Sequence, residues 1–287
     1  MHGVTIVPER EDIIMEQFIE ALSYPFVQRA VVAGVMISLC AALLGVILVL
    51  KRYSLIGHGL GDVGFASTAL AVALGLPVMA VSIPIVIVAA CLIMFWSQRS
   101  KTGGDTAIGM VATGALSIGV IITAMSSGFN VDVNGYMFGS ILAMSKEDVI
   151  FSVILSIAIL ILFVLFYNRL FLITFDENFA KASGINVGFY QFLIALLTAL
   201  TVVMGMRMMG SLLISSLIIF PAVIARKLAA SFKAVAVLSV ILSVVCFLAG
   251  LVLSFKLNLP TGASIGMVNL AVLAAVTLYH KLRGRAV

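Results

Sequence analysis

The stretch Phe26–Leu50, FVQRAVVAGVMISLCAALLGVILVL, carries no charged side chain after Arg29. About 20 apolar residues in a helix are enough to cross the hydrocarbon core of a bilayer. Backbone N–H and C=O groups find no water there, so the run must pair them within its own segment, as an α-helix does. Phe26–Leu50 is therefore predicted to be a membrane-spanning helix.

Comparable apolar runs follow along the rest of the chain. They are Gly57–Leu76, Val78–Ser97, Ala107–Ser126, Asp148–Phe166, Phe189–Met206, Gly210–Ala225, Phe232–Lys256 and Ser264–His280. Gly57–Leu76 is short and glycine-rich, and a break in it would leave eight crossings instead of nine. The predicted fold class is an all-α integral membrane protein, a polytopic bundle of 8–9 transmembrane helices. Residues 1–25 are predicted to be an amphipathic N-terminal segment, helical from about Arg10 to Tyr24, and residues 26–287 a single transmembrane domain.

The overall composition supports a membrane protein. Hydrophobic residues make up 63% of the chain and charged residues 10%, whereas soluble domains carry about 25% charged residues. The net charge of +5 does not indicate nucleic-acid binding, because the lysines and arginines are scattered in ones and twos between apolar runs. The three cysteines each lie inside an apolar run and predict no disulfide framework.

The basic residues between the runs predict the orientation of the chain. The positive-inside rule places on the cytoplasmic side Lys51/Arg52, Arg99/Lys101, Arg169/Lys181, Arg226/Lys227 and Lys281/Arg283/Arg285. With nine crossings the acidic N-terminus lies outside, and with eight it lies inside. The C-terminus is cytoplasmic in both cases.

One apolar run, beginning within Ser54–Phe65 (SLIGHGLGDVGF), contains a histidine and an aspartate four residues apart. On a helix, His58 and Asp62 share one face, one turn apart. Imidazole plus carboxylate is a ligand pair for Zn²⁺ or Mn²⁺, and ionisable groups inside a membrane usually serve a function. A His–Asp hydrogen bond that only satisfies the two groups is the alternative. Two ligands do not complete a four-coordinate site, but a two-fold partner with its own pair would.

Several enzyme chemistries are excluded by the sequence. Gly59–Asp62 spells the GxGD of intramembrane aspartyl proteases, but that chemistry needs a second aspartate, and the only one before Asp62 is Asp12, outside any span. The chain has no HExxH, GxSxG or phosphate-binding GxxxxGK[ST] motif. It is therefore predicted not to be an enzyme, and if transport uses ATP another chain must hydrolyse it. The methionines at 204, 206, 208 and 209 suit either apolar packing or a soft-metal path.

The connection Asn168–Gly188 is predicted to hold a short helix on the cytoplasmic face. Its central part, Phe175–Gly184, reads FDENFAKASG. Asp176 suits an N-cap, Glu177 suits the first turn and Gly184 suits the helix end. Such a helix is a suitable binding surface for a soluble partner.

Four stretches in order resemble permeases of the zinc/manganese class of ABC importers, over about Val31 to Val276. They are Ser54–Phe65, then Asp105–Gly109 with Asp132–Leu142, then Phe175–Gly184, and last Gly210–Arg226 with Leu259–Ala263. The resemblance implies a homodimeric or pseudo-dimeric pore in the cell (inner) membrane, a cytoplasmic ATPase and an extracytoplasmic metal-binding protein. This chain would bind no cofactor of its own; the metal ion is its cargo and ATP binds the partner subunit.

The resemblance also implies roles for particular residues. The helix within Phe175–Gly184 would couple to the ATPase through Phe175, Asp176, Glu177, Phe179, Ala180, Ser183 and Gly184. Pro221 and Ala222 would pack where a helix ends. In the first motif the family usually places aspartate first and histidine four residues later, whereas here His58 precedes Asp62. We expect the metal site to be kept with its two ligands exchanged.

Two other transport functions remain open from the sequence. In an ion- or proton-coupled secondary transporter, His58 and Asp62 would form a proton relay. A permease of the same type for an iron chelate or another bulky solute would not need the pair at all.

Overall fold

The computed structural model describes residues 23–99, 104–125 and 146–282, which form eleven α-helices and no strand. The helices are α1 (Pro25–Leu50), α2 (Ile56–Ala73), α3 (Val78–Arg99), α4 (Gly104–Met125), α5 (Lys146–Leu165), α6 (Tyr167–Phe175), α7 (Glu177–Ala182), α8 (Val187–Met209), α9 (Ser211–Leu228), α10 (Phe232–Leu257) and α11 (Thr261–Leu282). The predicted N-terminal helix, but for its last residues, and the segment 132–142 lie outside the described residues. The all-α membrane fold is confirmed.

Within the described ranges, eight helices are long and apolar enough to cross a membrane, and α2 is the long helix that is not among them. The 18 residues of α2 nevertheless span about 27 Å. Tyr53, just before α2, lies against Gly104 at the start of α4, and its hydroxyl bonds Ser97 near the end of α3. Since α2 begins at the end of the bundle where α3 finishes, α2 must run back across it. The described residues thus form nine long helices that run the length of the bundle, one more than the eight that are long and apolar enough to cross a membrane.

The centre of the bundle is formed by α1, α8 and α9, while α4 lies at its edge. Small residues let the central helices approach closely, as is usual in membranes. A Cβ added to Gly45 would lie 2.1 Å from the carbonyl oxygen of Ile218, so α1 and α9 touch backbone to backbone there. Serines supply several interhelical hydrogen bonds; Ser243 Oγ of α10, for example, donates to the Ser38 carbonyl of α1 over 3.1 Å.

Pro221 lies inside α9, and the prediction that a helix ends there is wrong. The helix continues to Leu228, about two turns further. A proline interrupts the hydrogen bond to the carbonyl four residues earlier, here that of Leu217. Membrane helices tolerate this because neighbouring helices hold the segment and lipid gives the chain no other place to pair its backbone.

The connection between α5 and α8 contains two short helices, α6 and α7, where one was predicted. The side chain of Asp176 accepts a hydrogen bond from the Phe179 N–H at 2.9 Å, which caps α7. After α7 the chain turns through Gly184, whose φ of +77° favours glycine. The N–H groups of Gly184 and Ile185 bond the carbonyls of Lys181 and Ala180. The predicted cap and end of this helix are confirmed.

Candidate functional site

Three sides of α2 are covered by neighbouring helices. Glycines form two of these contacts, because a side chain at either position would collide with the neighbour. A Cβ at Gly57 would lie 2.9 Å from Ile218 Cδ1 of α9, and one at Gly59 would lie 2.6 Å from Ile108 Cγ2 of α4. On the third side, Ser67 Oγ donates to Ser82 Oγ of α3 over 2.9 Å.

The fourth side of α2 carries His58 and Asp62. Their side chains lie on one face of the helix, with 3.9 Å between His58 Nε2 and Asp62 Oδ2. The imidazole is 54% exposed and the carboxylate 18% exposed. The structure therefore brings the two predicted ligands together and leaves the pair accessible on the side of α2 that no helix of the described ranges covers.

The opening beside His58 and Asp62 is flanked by α4 and α9. With about 100° of rotation per residue, Asp105 and Gly109 fall on the side of α4 next to the opening. Both are exposed, and a Cβ at Gly109 would meet no atom within 4 Å. Ile219 of α9, only partly buried, borders the opposite edge. The pair thus stands in a groove between two helices, open toward the outside of a single chain.

The two polar atoms of the pair do not bond each other directly. A separation of 3.9 Å is too long for a hydrogen bond. Metal–nitrogen and metal–oxygen bonds of about 2.0–2.2 Å would let one ion sit between the two atoms. No group of three or more His, Cys, Asp or Glu side chains within the described ranges is arranged to hold a metal. His58 and Asp62 are therefore at most two of the four ligands that a tetrahedral ion needs.

The other side of α2 adjoins a cavity of about 190 Å³, which is separate from the ligand pair. Thr68, Met206 and Arg207 are among its lining residues, and neither His58 nor Asp62 contributes to it. Met204, Met206, Met208 and Met209 are buried in apolar packing at the end of α8. Arg207 pairs with Asp148 at the start of α5, with 3.2 Å between Nη2 and Oδ1. The clustered methionines thus act as core residues here.

The residues predicted to contact an ATPase divide into two groups in the structure. Phe175 and Phe179 are 59% and 57% exposed, and Asp176, Ser183 and Gly184 are exposed beside them. Ala180 is fully buried, and Glu177 turns back toward the bundle. The two phenylalanine rings are exposed on the surface, whereas Ala180 and Glu177 hold α7 in place.

Sequence reasoning missed the partners of Glu177. Lys51, counted there only as a loop charge, places its Nζ 2.5 Å from Glu177 Oε1, and Gln191 Nε2 donates to the same oxygen over 3.0 Å. Burial is the largest cause acting on the pKa of Tyr53, and it raises that pKa. The hydrogen bond with Ser97 lowers the pKa, and the nearby Glu177 carboxylate raises it. The Tyr53 hydroxyl therefore stays protonated. A lysine at the end of an apolar run was the only signal available in the sequence.

A bundle of long apolar helices with a capped surface helix at one end is the architecture of a polytopic membrane protein. The chain belongs to the ABC 3 transport family, whose model matches residues 23–280.

Relatives and a solved structure agree with that membership over most of the chain. The manganese import system permease protein ScaB of Streptococcus gordonii is 29% identical over 253 residues, covering 88% of this chain and 91% of the relative. The high-affinity zinc uptake system membrane protein ZnuB of Haemophilus influenzae is 28% identical, covering 88% and 97%. In the structure of PsaBC from Streptococcus pneumoniae in complex with Fab, one chain matches with a TM-score of 0.81 at 29% identity, covering 94% of this chain and 99% of that one.

Proposed function

We propose that this chain is the membrane permease of an ATP-driven importer for a divalent metal ion, Mn²⁺ or Zn²⁺. The ion would arrive from an extracytoplasmic binding protein and pass the His58–Asp62 pair, and ATP would be hydrolysed on a separate cytoplasmic subunit. The observation that carries the proposal is the pairing of imidazole and carboxylate on the side of α2 that no described helix covers. Permeases for manganese and for zinc among the relatives support the substrate class.

A second copy of the chain would complete the site. The exposed imidazole and the open flank of α4 leave the groove uncovered in one chain, and a charged pair facing lipid would be costly. Two copies related by a two-fold axis would bring two histidines and two aspartates to one ion. The pore would then lie between the two chains, with α2 of each along its wall.

The direction of the chain follows from the loop charges and the contacts. Lys51, Glu177 and Tyr53 lie at the end of the bundle that carries most of the basic loops, which the positive-inside rule assigns to the cytoplasm of the cell (inner) membrane. Helix α7 then faces the ATPase, with Phe175 and Phe179 as its contact. The C-terminus lies on the same side.

In this mechanism the permease binds the ion weakly enough to release it. The ion exchanges part of its water shell for imidazole and carboxylate oxygen as it enters the groove. A site with few protein ligands does not hold the ion too tightly, and transport requires that the ion leaves the site as well as enters it. Binding of ATP by the partner favours one arrangement of the helices over the other, which changes the side to which the pair is open.

Metal competition in proteoliposomes tests the proposal. The chain is reconstituted with its ATPase and binding protein, and uptake of radioactive Mn²⁺ is measured with unlabelled Zn²⁺, Fe²⁺ or Mg²⁺ in competition. ATP-dependent uptake inhibited by Zn²⁺ but not by Mg²⁺ is expected. Uptake that requires an ion or proton gradient and no ATP would instead identify a secondary transporter, and the proposal would fall.

A further inference from the structure

We infer that the Lys51–Glu177 ion pair couples the cytoplasmic helix α7 to α2, so that movement of α7 repositions the helix bearing His58 and Asp62. This inference rests on the proposed function for its cargo. Its geometry, however, stands on contacts of the described residues alone.

The ion pair is held as a connector between separate elements. Lys51 caps the end of α1, and its side chain is only 6% exposed, while Glu177 is the first residue of α7 and 36% exposed. A buried ammonium needs a charge partner, because burial without one is unfavourable. Glu177 is the carboxylate within salt-bridge distance of it, at 2.5 Å. Separating the two elements would therefore leave a buried ammonium without its charge partner.

The turn from Lys51 to α2 is short and fully bonded. Arg52 N–H donates to the Val49 carbonyl and Tyr53 N–H to the Leu48 carbonyl, at 3.2 and 2.8 Å, which closes a Schellman motif. Arg52 adopts a φ of +62°, a backbone conformation that residues other than glycine rarely adopt. A turn with this hydrogen bonding transmits a displacement instead of absorbing it.

The Tyr53 ring fixes the far end of the same turn. Tyr53 is buried, its ring lies against the backbone of Gly104, and its carbonyl accepts from the Ile56 N–H at the start of α2. His58 is the third residue of that helix. Glu177 is thus connected to the ligand pair through the ion pair with Lys51, the hydrogen-bonded turn that follows Lys51, and the first turn of α2.

Gln191 links the same carboxylate to α8, so a movement of α7 relative to α8 acts on the ion pair. Its Nε2 donates to Glu177 Oε1 over 3.0 Å. Since Asp176 and Gly184 fix both ends of α7, the short helix moves as a unit, and Glu177 moves with it. A shift of α7 against α8 either keeps Lys51 attached and drags the turn, or breaks an ion pair that is almost fully buried on the lysine side.

The test places a reporter in the turn and does not depend on the cargo. A single cysteine is introduced as Leu55→Cys, on an exposed residue one position before α2, after replacing Cys40, Cys91 and Cys246 by alanine. In the complete complex, the rate of labelling by a maleimide is compared with and without ATP plus vanadate. The variants are Glu177→Gln, Lys51→Met and the exchange of Lys51→Glu with Glu177→Lys.

The expected result is a nucleotide-dependent labelling rate in the parent that Glu177→Gln and Lys51→Met abolish and the exchange restores. The exchange is geometrically possible because the Gln191 amide can turn its oxygen toward the introduced ammonium. Ions imported per ATP hydrolysed should fall by about tenfold in the single variants, a usual size for coupling between sites, while the ATPase stays assembled. Lys227→Met, at the same end of the bundle, is the matched control and should change neither measurement.

Two results would overturn the inference. One is an unchanged nucleotide effect in both single variants; the other is an exchange variant that assembles but behaves like the single ones. Lys51→Met keeps a long flexible side chain and should therefore fold. If Glu177→Gln misfolds, the labelling rate can still be measured in Lys51→Met. If the labelling pattern is as expected but His58→Ala imports metal normally, the ligand proposal fails and the coupling stands.

Discussion

Gly45 of α1 and Ile218 of α9 touch so closely that an added Cβ would stand 2.1 Å from the Ile218 carbonyl oxygen. The neighbour is backbone, which cannot rotate away. Gly45→Ala should therefore separate the two central helices and destabilise the protein by about 1–3 kcal/mol, as overpacking does in other cores. The measurement is the thermal unfolding midpoint in detergent. Gly114→Ala is the control, because a Cβ there meets nothing within 4 Å; equal midpoints for the two variants would contradict this packing.

Removing either member of the ligand pair should stop transport without unfolding the chain. His58→Ala and Asp62→Ala each leave a single protein ligand per chain for the ion. Because even indirect partners of a metal contribute about 10–100-fold in affinity, uptake at low metal concentration should fall by about 100-fold or more. The measurement is metal-dependent growth rescue together with membrane content of the protein. His280→Ala, a histidine at the end of α11, is the control; uptake unchanged by His58→Ala would eliminate the ligand assignment.

The exposed aromatic ring of Phe179 should carry much of the contact with the ATPase. It lies on a capped helix and is 57% exposed, as a ring that fills a partner's pocket would be. Phe179→Ala should weaken co-purification of the ATPase by roughly 30-fold, about 2 kcal/mol, typical of a central aromatic contact. Phe192→Ala, which removes a ring of similar exposure on α8, is the control. Loss of the ATPase in both variants would point to general destabilisation instead.

How far the sequence predicted the structure depends on the kind of interaction involved. Apolar length and the helical repeat placed nine long helices and put His58 and Asp62 on one face, because lipid and backbone hydrogen bonding leave few alternatives. The capping chemistry of Asp176 and Gly184 is equally local and was predicted.

Contacts between distant parts of the chain were beyond the sequence. Lys51 and Glu177 are 126 residues apart, and their pairing depends on how α1 and α7 meet. The family resemblance implied a helix end at Pro221, yet packing carries α9 through it. Which side of α2 stays uncovered also follows only from the positions of its neighbours.

The order of the two ligands should matter less than their presence. The exchange His58→Asp with Asp62→His keeps one imidazole and one carboxylate one helical turn apart, on the side of α2 that is open among the residues the structure describes. Position 58 is more exposed than position 62, so the shorter carboxylate would then occupy the open position and the bulkier imidazole the more enclosed one. The double variant should therefore import metal less well than the parent but better than His58→Ala or Asp62→Ala, with a changed preference between Mn²⁺ and Zn²⁺. Uptake and competition by the two metals are the measurements. A double variant that reaches the membrane but imports less than both single variants would show that the two positions do not act as an interchangeable pair.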